Sequence, residues 1–138
     1  MRVLLVVDML KDFIDDRGAL SLKEAGYDIV PVIKGKIEEA LEADDVVIYL
    51  CDSHAADDVE FDRFPAHAVA GTVGAEIISA LPVTDLTFIV PKTRYSGFYG
   101  TALDVLLKDL KPDEVEVTGC CTSICVAQTV ADLANRDY

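Results

Sequence analysis

Four short apolar runs set the frame of this chain: "VLLVV" at 3–7, "VVIYL" at 46–50, "LTFIV" at 86–90 and "VEVTG" at 115–119. The first three are nearly unbroken and rich in β-branched residues, as strands covered on both faces of a parallel sheet are. Helical stripes lie between the runs. Ile33, Ile37, Ala40 and Leu41 share one face. Ala75, Ile78 and Leu81 suggest a shorter helix after "GTVG". Leu103, Leu106, Leu107 and Leu110 form a third stripe, closed by Pro112. Ile124, Ala127, Val130, Ala131 and Ala134 form a fourth, with Thr122 or Ser123 placed to cap it. Strands alternating with helices predict βαβ units. The expectation is therefore one domain over residues 1–138, a three-layer α/β/α Rossmann-like fold with a parallel sheet. The fourth helix should cross back to another parallel strand, so further strands are expected beyond Tyr138.

A chain of 138 residues with 51% hydrophobic residues can bury a sizeable core. No apolar run is long enough for a bilayer span, and Asp8 interrupts the first run too early for a signal peptide. These features predict a cytoplasmic protein without a membrane partner. The net charge of -13 argues against nucleic acid, whose phosphates require a basic surface. Four cysteines in a reducing compartment are expected to be buried or reactive rather than bridged.

In open α/β sheets ligands gather beyond the carboxyl ends of the strands. Asp8 follows the first run, Asp52 and His54 the second, and Lys92 the third. "GCCTSICVAQ" follows the fourth. Cys125 falls near a helix start, where free N–H groups favour a thiolate and can hold an oxyanion. A small buried apolar residue is the competing reading of Cys125. Asp8 taken alone could be a turn residue, and Lys92 alone a solvated lysine. Cys51 reads as core, Cys120 as packing beneath the loop, and Cys121 as a backbone contributor. Both histidines, His54 and His67, fall in "CDSHAADDVEFDRFPAH". With Asp52 they make a plausible divalent-metal set, and Glu60 could join it. A solvated acidic loop formed by Asp57, Asp58, Glu60 and Asp62 is the alternative. The segment from Ser53 to Gly71 is too long for a plain connection and is expected to be functional.

The residues carry a resemblance over essentially the whole chain. "VVDMLKDF", "PKTRYSGFYGT" and "GCCTSICVAQTVADLA" resemble segments of the isochorismatase-like cysteine hydrolases. The "DSH" and "EFDRFPAH" segments with "AGT" resemble the nicotinamidase/pyrazinamidase branch. The resemblance implies Asp8, Lys92 and Cys125 as catalytic residues. It also implies a cis peptide between Cys120 and Cys121, shaping an oxyanion hole from the N–H groups of Cys121 and Cys125. It implies Asp52, His54, Glu60 and His67 as ligands of a divalent metal, zinc first, with iron or manganese as alternatives. The strand order it implies is 3-2-1-4. Ser123 departs from the aspartate common in the family, and the loop from His54 to His67 is short.

Together these readings predict a metal-containing amidohydrolase of a small carboxamide, nicotinamide above others, working through a thioester. The metal would hold the pyridine nitrogen of the substrate, or a water that does. Phe13, Tyr95 and Phe98 are expected to contact substrate, and family members suggest a homodimer or homotetramer. The alternatives are another small amide, ureido or vinyl-ether substrate, or a catalytically idle interaction module.

Overall fold

The computed structural model describes residues 1–138. Strands β1 (Arg2–Val7), β2 (Val46–Asp52), β3 (Thr87–Lys92) and β4 (Glu114–Gly119) form one sheet, ordered β3-β2-β1-β4. Every pairing is parallel. Helices α1 (Lys11–Ile14), α2 (Glu24–Glu42), α3 (Leu103–Leu110) and α4 (Ala127–Ala134) complete the α/β fold. This is the expected class and strand order.

The alternation of side chains along β1 divides the core in two. Leu4 and Val6 face Ile33 and Ile37 of α2. Val3, Leu5 and Val7 face Leu103 and Leu107 of α3 and Leu133 of α4. β1 is interior, and Val3 to Val7 are each 0% exposed. Such a strand reads as an unbroken apolar run, because each fully buried Val or Leu contributes roughly 1.5–3 kcal/mol. No helix is long and apolar enough to cross a membrane.

Three local expectations are corrected. β3 is an edge strand, and Phe88 and Ile89 are exposed, so its apolar run is not covered on both faces. The stripe at 75–81 makes no regular helix. Only a 3₁₀ turn at Val73–Ala75 forms, while Ile78 and Leu81 reach the core from irregular chain. The first stripe belongs to a longer helix, which starts at Glu24 and runs through Pro31. Neither Thr122 nor Ser123 caps α4. Cys121 precedes a π turn at Thr122–Val126 that runs directly into the helix. At the other end of α3, Lys111 adopts the left-handed conformation (φ 50°) and Pro112 follows, as the stop signal predicts.

Gly119, the last residue of β4, is essential to the sheet edge nearest the cysteines. Its φ is +117°, and a Cβ there would meet the Val7 carbonyl oxygen at 2.1 Å. Only glycine lets β4 approach β1 this closely as the chain turns into Cys120.

Candidate active site

The carboxyl ends of the strands bring four groups into one buried cluster. Asp8 leaves β1 with φ 50°, and its N–H donates to the Leu50 carbonyl at 2.8 Å. Its Oδ1 accepts from the Asp52 N–H at 2.8 Å, which fixes the carboxylate on the neighbouring strand end. Asp52 and Lys92 are register partners across β2 and β3. Lys92 Nζ lies 2.8 Å from Asp8 Oδ2 and 2.5 Å from Asp52 Oδ1. It also donates to the Arg94 carbonyl at 3.1 Å and approaches Cys125 Sγ at 3.5 Å. Asp8 and Lys92 are each 1% exposed, so this is not a solvated lysine.

Cys125 sits in the π turn, a widened helical turn that recurs at functional sites. Thr129 holds the turn from below. Its hydroxyl donates to the Cys125 carbonyl at 2.7 Å and accepts from the Gly97 N–H at 3.0 Å. The Cys120–Cys121 peptide is cis, as the resemblance implied. Cys120 is buried and its thiol donates to the Asp8 carbonyl at 3.2 Å. Cys51 is buried in the core, as expected.

Electrostatics here are set by burial and by an excess of carboxylates. Burial, against the pull of Lys92, pushes Asp8 up to about 6. Burial would depress Lys92, but Asp8 and Asp52 outweigh it and hold the ammonium above its usual range. Burial and then the Asp8 charge push the Cys125 thiol up, and Lys92 only partly opposes them. The helix-start argument for a resting thiolate is therefore overturned. The raised thiol lies beside the Asp8 carboxylate and the Lys92 ammonium.

A second cluster adjoins the first through Asp52. Its Oδ2 lies 3.5 Å from His54 Nε2 and 3.9 Å from His67 Nε2. Glu60 closes the set, with Oε2 4.0 Å from His54 Nε2 and Oε1 3.9 Å from His67 Nε2. His54, Glu60 and His67 are all buried, so the solvated-loop reading of Glu60 does not hold. His54 Nδ1 faces the Asp58 carboxylate at 3.0 Å, and His67 Nδ1 faces the Pro65 carbonyl at 2.7 Å. Both partners can only accept, so each Nδ1 carries the proton and each Nε2 points inward. Asp52, opposed by burial and assisted by Asp58, pushes His54 up to about 9, the response of an imidazole facing carboxylates.

His54 Nε2 and Glu60 Oε2 are buried without hydrogen-bond partners. Two imidazole nitrogens and two carboxylates aimed at one point, with two atoms left orphaned, fit a divalent cation. The ligating atoms of Asp52, His54 and His67 lie within 4.8 Å of one another. Asp8, Asp52 and Cys125 also lie within that distance of one another, but the Lys92 ammonium already fills their centre.

Both clusters face one cleft of about 180 Å³. Asp8, Asp52, Glu60, His67, Cys121 and Cys125 line its floor. Phe13, Leu20, Leu22, Phe64, Tyr95 and Ile124 form an apolar wall. Phe13 stands edge-on to His67, with ring centroids 5.6 Å apart. Of the three residues expected to contact substrate, Phe13 and Tyr95 border the cleft and Phe98 does not. Its ring packs into the core beneath α3 and α4, under the Arg136 guanidinium at 4.2 Å. The preceding Gly97 packs against Leu50, where a Cβ would meet Cδ1 at 2.4 Å. Sequence reasoning missed Leu20, Leu22 and Phe64, since loop residues carry no periodic signal, and placed Ile124 only in the fourth helical stripe.

A family model described as "Isochorismatase domain" matches residues 2–138. The chain belongs to the isochorismatase family. Among its relatives, the nicotinamidase/pyrazinamidase of Mycobacterium tuberculosis is 30% identical, over 96% of this chain and 78% of that protein. An Arabidopsis thaliana protein named as a probable inactive nicotinamidase is 31% identical, over 98% of this chain and 74% of its own length. The N-carbamoylsarcosine amidase of Thermoplasma acidophilum superposes with a TM-score of 0.92 at 36% identity, covering 99% of this chain and 78% of that one. The pyrazinamidase of Pyrococcus horikoshii, solved in complex with zinc, superposes with a TM-score of 0.90 at 30% identity, covering 97% and 78%. These isochorismatase-family relatives carry names of more than one activity, so membership alone does not choose a substrate.

Proposed function

We propose that this protein is a metal-containing cysteine amidohydrolase that cleaves a small uncharged carboxamide, nicotinamide foremost, to its acid and ammonia. One observation carries the reading. The buried Asp8–Lys92–Cys125 cluster and the His54–Glu60–His67 donors share Asp52 and face the same cleft.

In the proposed mechanism the Asp8 carboxylate, within 4.8 Å of Cys125 Sγ, accepts the thiol proton. Lys92 stabilises the thiolate as it forms. Sγ attacks the amide carbon, and N–H groups of Cys121 and Cys125 receive the oxyanion. Asp8 returns its proton to the amide nitrogen, the C–N bond breaks and ammonia leaves a thioester. Asp8 then deprotonates water, which attacks the thioester. The C–S bond breaks and the proton returns to sulfur. Asp52, His54, Glu60 and His67 would hold a divalent cation, zinc foremost, supplying a Lewis-acidic anchor for a substrate nitrogen at that end of the cleft.

The cleft supports the substrate class. It is smaller than the ~300–1,000 Å³ common for drug-sized ligands, which suits a single-ring molecule. No lysine or arginine lines it. Apart from the proposed divalent cation, an anionic ureido acid would find only carboxylates as charged groups in the lining, which disfavours that alternative. An idle module is disfavoured because keeping several charges buried is costly without a function to hold them there.

The test is ammonia release from a panel of neutral and anionic carboxamides, with and without a chelator. Turnover of nicotinamide that chelation abolishes is the expected result. Turnover of an anionic substrate alone, or of none by metal-loaded protein, would overturn the reading.

A further inference from the structure

Asp58 contacts the donor set from behind rather than joining it. Its Oδ1 accepts from the Glu60 N–H at 2.9 Å, and its Oδ2 accepts from His54 Nδ1 at 3.0 Å. Arg94 meets the same carboxylate, its Nη1 lying 3.1 Å from Oδ1 and 3.0 Å from Oδ2. The Asp58 side chain is 7% exposed and fully engaged, so it faces the wrong nitrogen of His54 to be a ligand. The same Arg94 accepts the Lys92 ammonium through its own carbonyl at 3.1 Å. Tyr95, the next residue, lines the cleft.

We propose that Asp58 and Arg94 are positioning residues that hold His54 and Glu60 in a ligating geometry and tie that geometry to the segment that follows Lys92. The inference rests on reading Asp52, His54, Glu60 and His67 as a cation site. A carboxylate at Asp58 can only accept, so it fixes the His54 ring with its Nε2 lone pair turned inward. Its second oxygen pins the backbone of Glu60, so one side chain aligns two donors. Arg94 bridges the Asp58 carboxylate and keeps it from rotating toward solvent. Partners of this kind typically change metal affinity about 10–100-fold when lost.

Asn at Asp58 keeps the size but presents an amide N–H₂ to one of the three donors it now serves. Asp58→Asn should therefore weaken zinc binding about 10–100-fold in a competition titration against a chromophoric chelator. Arg94→Gln, at a half-exposed position, should weaken it by a smaller factor with the fold intact by circular dichroism. Arg94→Lys should recover part of the loss. A structural role alone would lower the melting temperature of the zinc-free proteins and leave the Kd of the folded fraction unchanged. Unchanged Kd in both Asp58→Asn and Arg94→Gln, with the parent binding zinc, overturns the positioning role alone. Failure of the parent to bind zinc, iron or manganese overturns the cation site and the positioning role together.

Discussion

Asp52 divides its two oxygens between two tasks: Oδ1 lies 2.5 Å from Lys92 Nζ, while Oδ2 turns to the imidazoles of His54 and His67. The strand register that pairs Asp52 with Lys92 is therefore also what joins the thiol cluster to the metal donors. A change at this one carboxylate reaches both clusters.

Cys125→Ala should abolish turnover, whereas Cys51→Ala and Cys120→Ala should retain most of it. Only Cys125 combines cleft access with contact to the Lys92 ammonium. Steady-state assay decides this, and mass spectrometry of the quenched parent should reveal an acyl adduct on Cys125. Comparable activity in Cys125→Ala and the parent would end the mechanism.

Lys92→Met removes a cation that separates two buried carboxylates. Breaking a buried pair from one side typically costs about 3–5 kcal/mol. Urea titration should show a loss of that order with the slope unchanged. An unaltered midpoint would mean that the Asp8 and Asp52 charges are compensated elsewhere.

Asp8 must be ionised to take the thiol proton, and its folded value lies near 6. The rate kcat/KM should therefore fall on the acid side of pH 6, as Asp8 becomes protonated. Stability runs the other way. A carboxyl that binds its proton more tightly folded than unfolded favours the fold increasingly as pH drops from about 6 towards 3.8. An acid limb centred near pH 4 would contradict the assignment of Asp8 as the base.

Elemental analysis of purified protein should find one divalent ion per chain, lost in both His54→Ala and His67→Ala. Equal metal content in these variants and the parent would remove the proposed ligands.

Gly119→Ala places a Cβ against the Val7 backbone at a φ that alanine avoids. The loss should exceed about 1 kcal/mol. It should appear as a lower melting temperature and, because the turn into Cys120 shifts, a lower kcat. A melting temperature equal to the parent's would show that β4 yields without consequence.

The strands were legible because β1 and most of β2 are buried on both faces, leaving no polar residue to interrupt the apolar run. β3 was legible for a different reason, its β-branched and aromatic content, and its exposed Phe88 and Ile89 carried no sign of edge position. Ala75, Ile78 and Leu81 share helical spacing, yet Gly74 starts that stretch and Pro82 ends it, so burial alone explains the pattern. Asp8, Asp52 and Lys92 could be found because strand ends are where polar residues interrupt apolar runs. Asp58 was seen only as one acidic residue among several, since its contact with Arg94 joins loops 36 positions apart. The thiol state of Cys125 could not be read from its helical position, because the burial and neighbouring charge that decide it come from other strands.

The cleft is assembled from chain of two kinds. Asp8 and Asp52 stand at the ends of paired strands, while Leu20, Leu22 and Phe64 hang from segments that belong to no strand. Leu20 and Leu22 shape the cavity away from the buried charges, whereas Phe64 stands edge-on to His67, with ring centroids 6.2 Å apart. The shape of the cleft can thus change through its loops alone, apart from the strand ends that carry the buried carboxylates.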